Sequence, residues 1–304
     1  MLSKIKFIFL IILKIIFKKQ NEKFVDFPLN TKKIFSRLLI NFDNHKFLYF
    51  VRLHNKLNKE KLLSYNFLGF DNNLVYEIFK SEYTDNNLEF LPKDDGIIFF
   101  SSLENNNSFQ LKLGDKKYIK SNFNNLENLS FKFKKNQKVI FSSNNKTIFS
   151  KKFYLNKNVK KKLNLVLFID GLPSDIFFNK TISENNLKFT KKYFSNSYKF
   201  KNHYSNGEWS LPSAGSFFTG HYLDKHKLFH PNKNTSLPSN LDTLAEIFSK
   251  NDFSTLKINS SHRLSPMYGF IKGFDRTIYK REMNSNETVR NFMEFDKFIY
   301  GKKF

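Results

Sequence analysis

Two residues of this chain, Asp170 and Ser210, have the types and surroundings that suit metal binding and nucleophilic attack. Asp170 ends the apolar run LVLFID, and Gly171 follows it. We expect the carboxylate at a strand end, with a glycine that lets the backbone turn away from it. A carboxylate in such a place can bind a divalent metal ion. The same acid can equally serve only as a helix cap or a turn residue.

Ser210 lies two residues before Pro212, in the passage EWSLPSAGSFFTGHY. Proline is favoured in the first turn of a helix, where its missing N–H costs nothing. Ser210 is therefore predicted immediately before a helix start, where free N–H groups and the macrodipole stabilise negative charge. A hydroxyl held there beside a metal can act as a nucleophile. The alternative is that Ser210 is an ordinary N-cap.

Three histidines after Thr219-Gly220 form a second candidate cluster. His221, His226 and His230 follow the helix within a short loop, and the last two have helical spacing. Imidazole nitrogens are common zinc ligands, so the trio is a candidate zinc site, with ordinary loop histidines as the alternative.

The elements that must position Asp170 and Ser210 alternate between strand and helix. The continuous apolar run LNLVLFID (163–170) is typical of a strand buried on both faces in a parallel sheet. FSTLKIN (253–259) is predicted to be a second buried strand. Strand, helix and strand in this order predict a doubly wound α/β sheet, which binds ligands at the carboxyl ends of its strands.

The helix between those strands is predicted from SNLDTLAEIFSKN (239–251). Its apolar residues have the spacing of one buried helical face, at Leu241, Leu244, Ile247 and Phe248. Ser239 or Asn240 is expected to cap its start, and Asn251 to provide a left-handed residue at its end.

Between Gly96 and Leu155, short runs of apolar residues follow one another closely. Apolar and polar residues alternate in FQLKL and LSFKFK, as in half-buried antiparallel strands joined by hairpins. The six runs are GIIFFSS, SFQLKLG, KKYIKS, LSFKFKK, KVIFSS and KTIFSKKFYL. Asn144-Asn145 is predicted to be a tight turn. We expect a small β-rich, sandwich-like domain that binds sugars or acts as a spacer.

Four passages in sequence carry a family resemblance. NLVLFIDGL, NHYSNGEWSLPSAGSFFTGHY, TLAEIFSKNDFSTLKI and GFIKGFD have an order and spacing that resemble the sulfatase-like branch of the alkaline phosphatase superfamily, over residues 163–280. The resemblance implies that Asp170 is a metal ligand and Ser210 both a ligand and the nucleophile. It also implies that His262, in SSHRLSP, contacts the substrate anion. The expected activity is metal-assisted hydrolysis or transfer of sulfate or phosphate esters, with Ca, Mn, Zn or Mg as the cation.

The chain departs from that family in several places. Ala214 occupies the position where the sulfatase maturation motif has arginine, so an unmodified serine rather than formylglycine is expected. Ser260 replaces the lysine of the Lys-x-His pair, and Asp170 is a single acid, as in the phosphodiesterase and phosphotransferase relatives. The later Asp and His ligands of the family do not occur before Phe304. The domain is thus expected to be incomplete: a fragment, one completed by a partner, or one that has lost catalysis. The alternative function is a non-catalytic scaffold or glycan-binding protein.

The composition of the chain limits the classes of partner that it is expected to bind. The 304 residues carry a net charge of +24, contain no cysteine and are 40% apolar. The charge is mostly lysine spread along the chain, without a nucleic-acid-binding motif, so we expect an anionic ester or surface polysaccharide rather than nucleic acid. Residues 1–20, MLSKIKFIFLIILKIIFKKQ, resemble a basic amphipathic segment and predict membrane association, on a side that is not specified. The predicted organisation is this segment, a β-rich domain at 21–160 and the α/β domain at 161–304.

Overall fold

The part of the chain described in the computed structural model includes most of residues 76–280. The described residues are 25–27, 39–42, 48–53, 76–123, 128–154, 164–200, 202–229, 237–238, 240–280 and 286. The segment 1–20, predicted to associate with a membrane, lies outside them. Within these ranges, no helix has both the length and the apolar character needed to cross a bilayer.

The fold is a mixed α/β structure with a large, mostly antiparallel sheet and few helices. The sheet contains twelve described strands: β1 Val25–Phe27, β2 Leu39–Phe42, β3 Leu48–Leu53, β4 Tyr76–Phe90, β5 Gly96–Ser102, β6 Asn107–Leu113, β7 Lys116–Phe123, β8 Asn128–Phe133, β9 Val139–Ser150, β10 Phe153–Tyr154, β11 Leu256–Asn259 and β12 Arg276–Tyr279. The described helices are α1 Ser174–Phe178, α2 Lys180–Asn186, α3 Lys188–Tyr193, α4 Ser210–Thr219, α5 Leu223–His226 and α6 Leu244–Lys250, with 3-10 turns at His262–Leu264 and Pro266–Tyr268.

Strand pairing joins all twelve strands into one network. The main path runs β1-β2-β3-β4-β9-β5-β10, with β6 and β7 attached through β9, β8 attached to β5, and β11 and β12 attached through β4. The pairs β1–β2 and β11–β12 are parallel, and the other described pairs are antiparallel. The alkaline-phosphatase-like sheet and a separate preceding sandwich remain predictions.

Most of the strands predicted between Gly96 and Leu155 are confirmed, but KVIFSS and the first half of KTIFSKKFYL form one strand, β9, instead of two. β6 alternates as expected, because Phe109, Leu111 and Leu113 face the core while the residues between them do not. β5 is instead buried along its whole length, so its two faces serve two apolar clusters. The larger cluster is rich in stacked and edge-to-face phenylalanine rings around Phe100.

The predicted tight turn at Asn144-Asn145 is wrong. Both residues lie inside β9, at a register shift opposite β4. The side chain of Asn107 explains the irregularity: its Oδ1 accepts from Asn145 N at 3.0 Å, and its Nδ2 donates to Asn145 O at 3.1 Å. A buried amide therefore satisfies backbone groups that a regular ladder would have paired.

The strand predicted at 163–170 is also wrong for its described residues. Residues 164–169 form no strand, and the five apolar side chains from Leu165 to Ile169 are 43–63% exposed. A buried parallel strand needs a neighbour on each side, and no described strand pairs with this segment. Its described aromatic contact is between Phe168 and Phe217 of α4, whose ring centroids lie 6.2 Å apart.

The second predicted strand is confirmed as β11, but its burial is inverted. Lys257 and Asn259 are buried, whereas Leu256 and Ile258 are only partly so. β11 pairs in parallel with β12, and β12 pairs with β4. The C-terminal α/β part is thereby hydrogen-bonded to the β-rich part.

The predicted helix at 239–251 is confirmed as α6, with different ends. The predicted buried face is wrong: Ala245 is the buried residue of α6, whereas Ile247 is 49% exposed and Leu241, Leu244 and Phe248 are only partly buried. Thr243 is the N-cap of α6 in a capping box with Glu246, and Asn240 lies in the preceding turn. Ser239 is outside the described residues. Asn251 has a φ of −102°, so the predicted left-handed residue is wrong; Asp252 adopts that conformation instead, with a φ of 63°.

Candidate active site

The hydroxyl of Ser210 and the carboxylate of Asp170 are in contact. Ser210 Oγ donates to Asp170 Oδ2 over 2.8 Å, although forty residues separate them in the chain. Ser210 is the first residue of α4, and its N-cap is Trp209, which makes no side-chain cap bond. Ser210 is therefore not the N-cap, and its hydroxyl is free of that role. The predicted juxtaposition of the acid and the hydroxyl is confirmed.

Asp170 sits in a turn rather than on a strand tip. Gly171 has a φ of +70°, a conformation that glycine adopts without steric cost, so the chain turns directly after the acid as predicted. The backbone then enters α1 at Ser174. The turn leaves Asp170 exposed to solvent, as a group that meets a substrate must be.

The loop before Ser210 is fastened to the first turn of α4. Ser213 Oγ donates to Gly207 O and to Trp209 O, at 3.0 Å each, and lies 2.6 Å from Ser205 Oγ. A Cβ on Gly207 would fall 2.5 Å from Cγ of Pro212, so only glycine allows this approach. Pro212 thus forms a packing surface for the loop as well as occupying the first helical turn.

A small apolar core fixes the other side of α4. Leu211 and Ala214 are fully buried against side chains that include Leu228, Leu264 and Phe270. Because Leu211 follows Ser210 directly, its burial determines the direction in which the serine points. The site is thus an exposed polar pair on a rigid apolar support.

The N-terminus of α4 is favourable for an anion. The N–H groups of Ser210 and Leu211 precede the first intrahelical donor, Ser213 N, which bonds Trp209 O at 3.3 Å. Oriented N–H groups and the macrodipole together stabilise negative charge at such an end.

Arg263 contacts the N-cap residue of α4, and no sequence pattern predicted this contact. Its guanidinium lies 4.5 Å from the ring centroid of Trp209, the residue before Ser210. His262, the predicted anion contact, begins the same 3-10 turn and packs edge-on against Tyr268, with ring centroids 5.6 Å apart. The one tryptophan of the chain, placed beside the candidate nucleophile, was the signal available in the sequence.

The histidine cluster after α4 does not form a described zinc site. His226 is fully buried; its Nδ1 accepts from Leu228 N at 3.1 Å, and its Nε2 lies 3.0 Å from Ser216 Oγ. Both ring nitrogens are therefore engaged, and burial lowers the pKa of His226. His221 is exposed on the surface, and His230 lies outside the described residues.

Asp170 and Ser210 could supply oxygen ligands to a hard divalent cation. Their oxygens converge on one exposed point, which fits part of a coordination shell. Across the described ranges, no group of three or more His, Cys, Asp or Glu side chains converges in a way that could complete it.

The comparisons with known proteins complete this description. A scan against models of protein families found no match to this chain, and a search of curated proteins found no relative.

Proposed function

We propose that this chain carries the nucleophile half of a sulfatase-like site, which transfers a sulfuryl or phosphoryl group from an ester to water or to a glycan hydroxyl. The observation that carries the proposal is the 2.8 Å hydrogen bond between Ser210 Oγ and Asp170 Oδ2 at the N-terminus of α4. The order of the passages around Asp170, Ser210 and the Gly-Phe-Asp element, similar to that of the alkaline phosphatase superfamily, supports it.

In the proposed reaction, Ser210 Oγ attacks the sulfur or phosphorus atom. A bond from Oγ to that atom forms, the bond to the ester oxygen breaks, and the leaving alkoxide takes a proton from solvent. The serine proton passes to Asp170 Oδ2, which already accepts it in a hydrogen bond. In the second step, water or a glycan hydroxyl attacks the sulfur or phosphorus atom of the seryl ester and loses a proton to solvent. The bond from that atom to Ser210 Oγ breaks, the serine oxygen takes its proton back from Asp170, and the sulfuryl or phosphoryl group leaves on the attacking oxygen.

The negative charge of the transferred group lies beside the N-terminus of α4 and the guanidinium of Arg263. These groups act where negative charge lies on the equatorial oxygens, so they bind the anionic group electrostatically in the substrate as well as in the transition state. A divalent cation bound by Asp170 and Ser210 would lower the pKa of the hydroxyl and offset further charge. We propose such a cation, without specifying Ca, Mn, Zn or Mg, as the cofactor.

The chain's net charge of +24 supports an anionic polymer or membrane surface as the setting of the reaction. The proposed substrate class is therefore the anionic esters of surface polysaccharides. Membrane association through residues 1–20 remains part of this proposal.

The test is turnover of p-nitrophenyl sulfate and p-nitrophenyl phosphate with each of the four cations. Ser210→Ala is expected to lower turnover by at least about 10³-fold, because the nucleophile is lost. Thr219→Val is the matched control: it removes a hydroxyl at the other end of α4 that donates to Gly215 O instead of Asp170. Turnover unchanged in Ser210→Ala would remove the proposed nucleophile. A folded chain without turnover would favour the scaffold alternative.

A further inference from the structure

Lys257 is a buried lysine beside the site, and it takes no part in the proposed reaction. Lys257 is almost completely buried on β11, and its Nζ donates to Leu264 O at 2.6 Å and to Phe270 O at 2.7 Å. The rings of Phe218, Phe270 and Phe274 surround the amine, with centroids 5.3–5.9 Å from Nζ. Desolvation lowers the pKa of Lys257 well below its ordinary value.

These contacts join the two elements that form the site. Leu264 follows Arg263 directly, and Phe218 lies on α4, the helix that begins at Ser210. One side chain therefore contacts both the turn that carries the guanidinium and the helix that carries the hydroxyl. Asn259, two residues along the same face of β11, adds a second donor to Leu264 O at 2.9 Å.

A buried amine is costly unless its hydrogen bonds compensate for the lost hydration. An aliphatic residue would suit this interior position, and the neighbouring Ile258 shows that the strand contains such residues. What lysine adds is a long stem ending in a donor that reaches two carbonyl oxygens. Those carbonyls flank the second 3-10 turn, Pro266–Tyr268, so binding both of them fixes the whole loop.

We propose that Lys257 is a positioning residue that holds Arg263 over Trp209, so that the guanidinium meets the anionic group of an ester bound at Ser210. Lys257 itself touches no substrate. Its effect on the reaction rests on the proposed function, whereas its effect on the Arg263–Trp209 contact does not.

The experiment uses the intrinsic fluorescence of the full chain, in which Trp209 is the one tryptophan. Arg263→Ala establishes the emission of an unstacked Trp209. Lys257→Met, which keeps the stem and removes the donors, is expected to shift the emission toward that of Arg263→Ala. A folded Lys257→Met protein with wild-type emission would overturn the proposal.

Kinetics with p-nitrophenyl sulfate or phosphate form a separate arm. Lys257→Met and Arg263→Ala are both expected to raise KM by about tenfold while changing kcat less, because both weaken binding of the anion. If Lys257→Met shifts the emission of Trp209 but keeps the wild-type KM, the proposed effect of Lys257 on substrate binding is overturned. If the wild type has no turnover, the proposed function fails while the fluorescence arm still decides the positioning role.

Hydrogen exchange on the unaltered chain covers the case in which Lys257→Met does not fold. The hydrogen bonds from Lys257 predict that amides in 264–270 exchange about as slowly as those of β11. Rapid exchange in 264–270 beside a protected β11 would show that the lysine does not hold the loop, and would overturn the proposal.

Discussion

Nε of Arg276 and Oε1 of Glu77 lie 2.6 Å apart in the interior, on the neighbouring strands β12 and β4. Glu77 belongs to the β-rich part of the chain and Arg276 to the part that carries the candidate site. Both side chains are at most 4% exposed, so each charge helps to compensate the other in the interior. The pair therefore couples the folding of the two parts.

Arg276→Met is expected to lower the free energy of unfolding by about 3–5 kcal/mol, because it removes the guanidinium that lies against the buried carboxylate of Glu77. Urea denaturation followed by circular dichroism measures the loss. The double variant Glu77→Leu/Arg276→Met removes both charges and should recover much of it. A single variant as stable as the wild type would show that the pair does not couple the two parts.

Gly273 allows α6 to pack closely against the turn that precedes β12. It has a φ of +84°, and a Cβ there would lie 2.4 Å from Glu246 N, in the first turn of α6. Gly273→Ala should cost about 2–4 kcal/mol, because backbone strain and overpacking act together. Gly220→Ala is the matched control: it shares the positive φ, but no atom lies within 4 Å of the added Cβ. Equal losses of thermal stability in the two variants would contradict the packing argument.

Because the apolar run from Leu165 to Ile169 is exposed, we expect it to tolerate substitution by a charged residue. Val166 is 55% exposed, so Val166→Lys should change the free energy of unfolding by no more than about 0.5 kcal/mol. Its solubility should rise, because an exposed apolar stretch is interrupted. Ile98→Lys, in the fully buried strand β5, serves as the contrasting control and should prevent folding. Unfolding of Val166→Lys would show that the segment is buried after all.

His226 predicts a dependence of stability on pH. Burial lowers its pKa in the folded chain, so the unfolded chain binds the proton more tightly. The contribution of the neutral ring is present above the ordinary pKa of about 6.5 and is lost as the pH falls below it toward the folded value. Protonation would also break the bond that Nδ1 accepts from Leu228 N.

Thermal unfolding of the wild type between pH 7.5 and pH 5 should therefore show a falling midpoint below about pH 6.5. His226→Asn is the control variant: it should be less stable at pH 7.5, with a shallower loss on acidification. Parallel pH profiles for the two proteins would rule out His226 as the titrating group.

Local patterns predicted several elements, because they depend on residues close together in the sequence. The alternation of apolar and polar residues predicted β6 and β8, and the helical spacing of apolar residues predicted α6. The pairing of Asp170 with Ser210 was predicted through the family resemblance. The turn at Gly171 and the proline in α4 are local signals for each residue separately, and the strand expected before Asp170 does not form at 164–169.

Where local patterns failed to predict the structure, contacts between residues far apart in the sequence determine it. Leu165–Ile169 and GIIFFSS of β5 are similar apolar runs, yet β5 is buried and the other is exposed, because only β5 has strands paired on both sides. Asn144-Asn145 has the composition of a turn, but the distant side chain of Asn107 holds it in β9. The bond between β12 and β4 and the stacking of Arg263 on Trp209 likewise depend on contacts that no local pattern encodes.

The most direct test of the central claim is to trap the transferred group on the serine. The chain is incubated with p-nitrophenyl phosphate or sulfate and a divalent cation, quenched in acid, digested and mapped by mass spectrometry. Our account predicts a phosphoryl or sulfuryl group on Ser210, with labelling about 10²-fold slower in Asp170→Asn, which keeps the shape of the side chain but removes its charge. Turnover without any group on Ser210, labelling of another residue, or no labelling with either ester would contradict it.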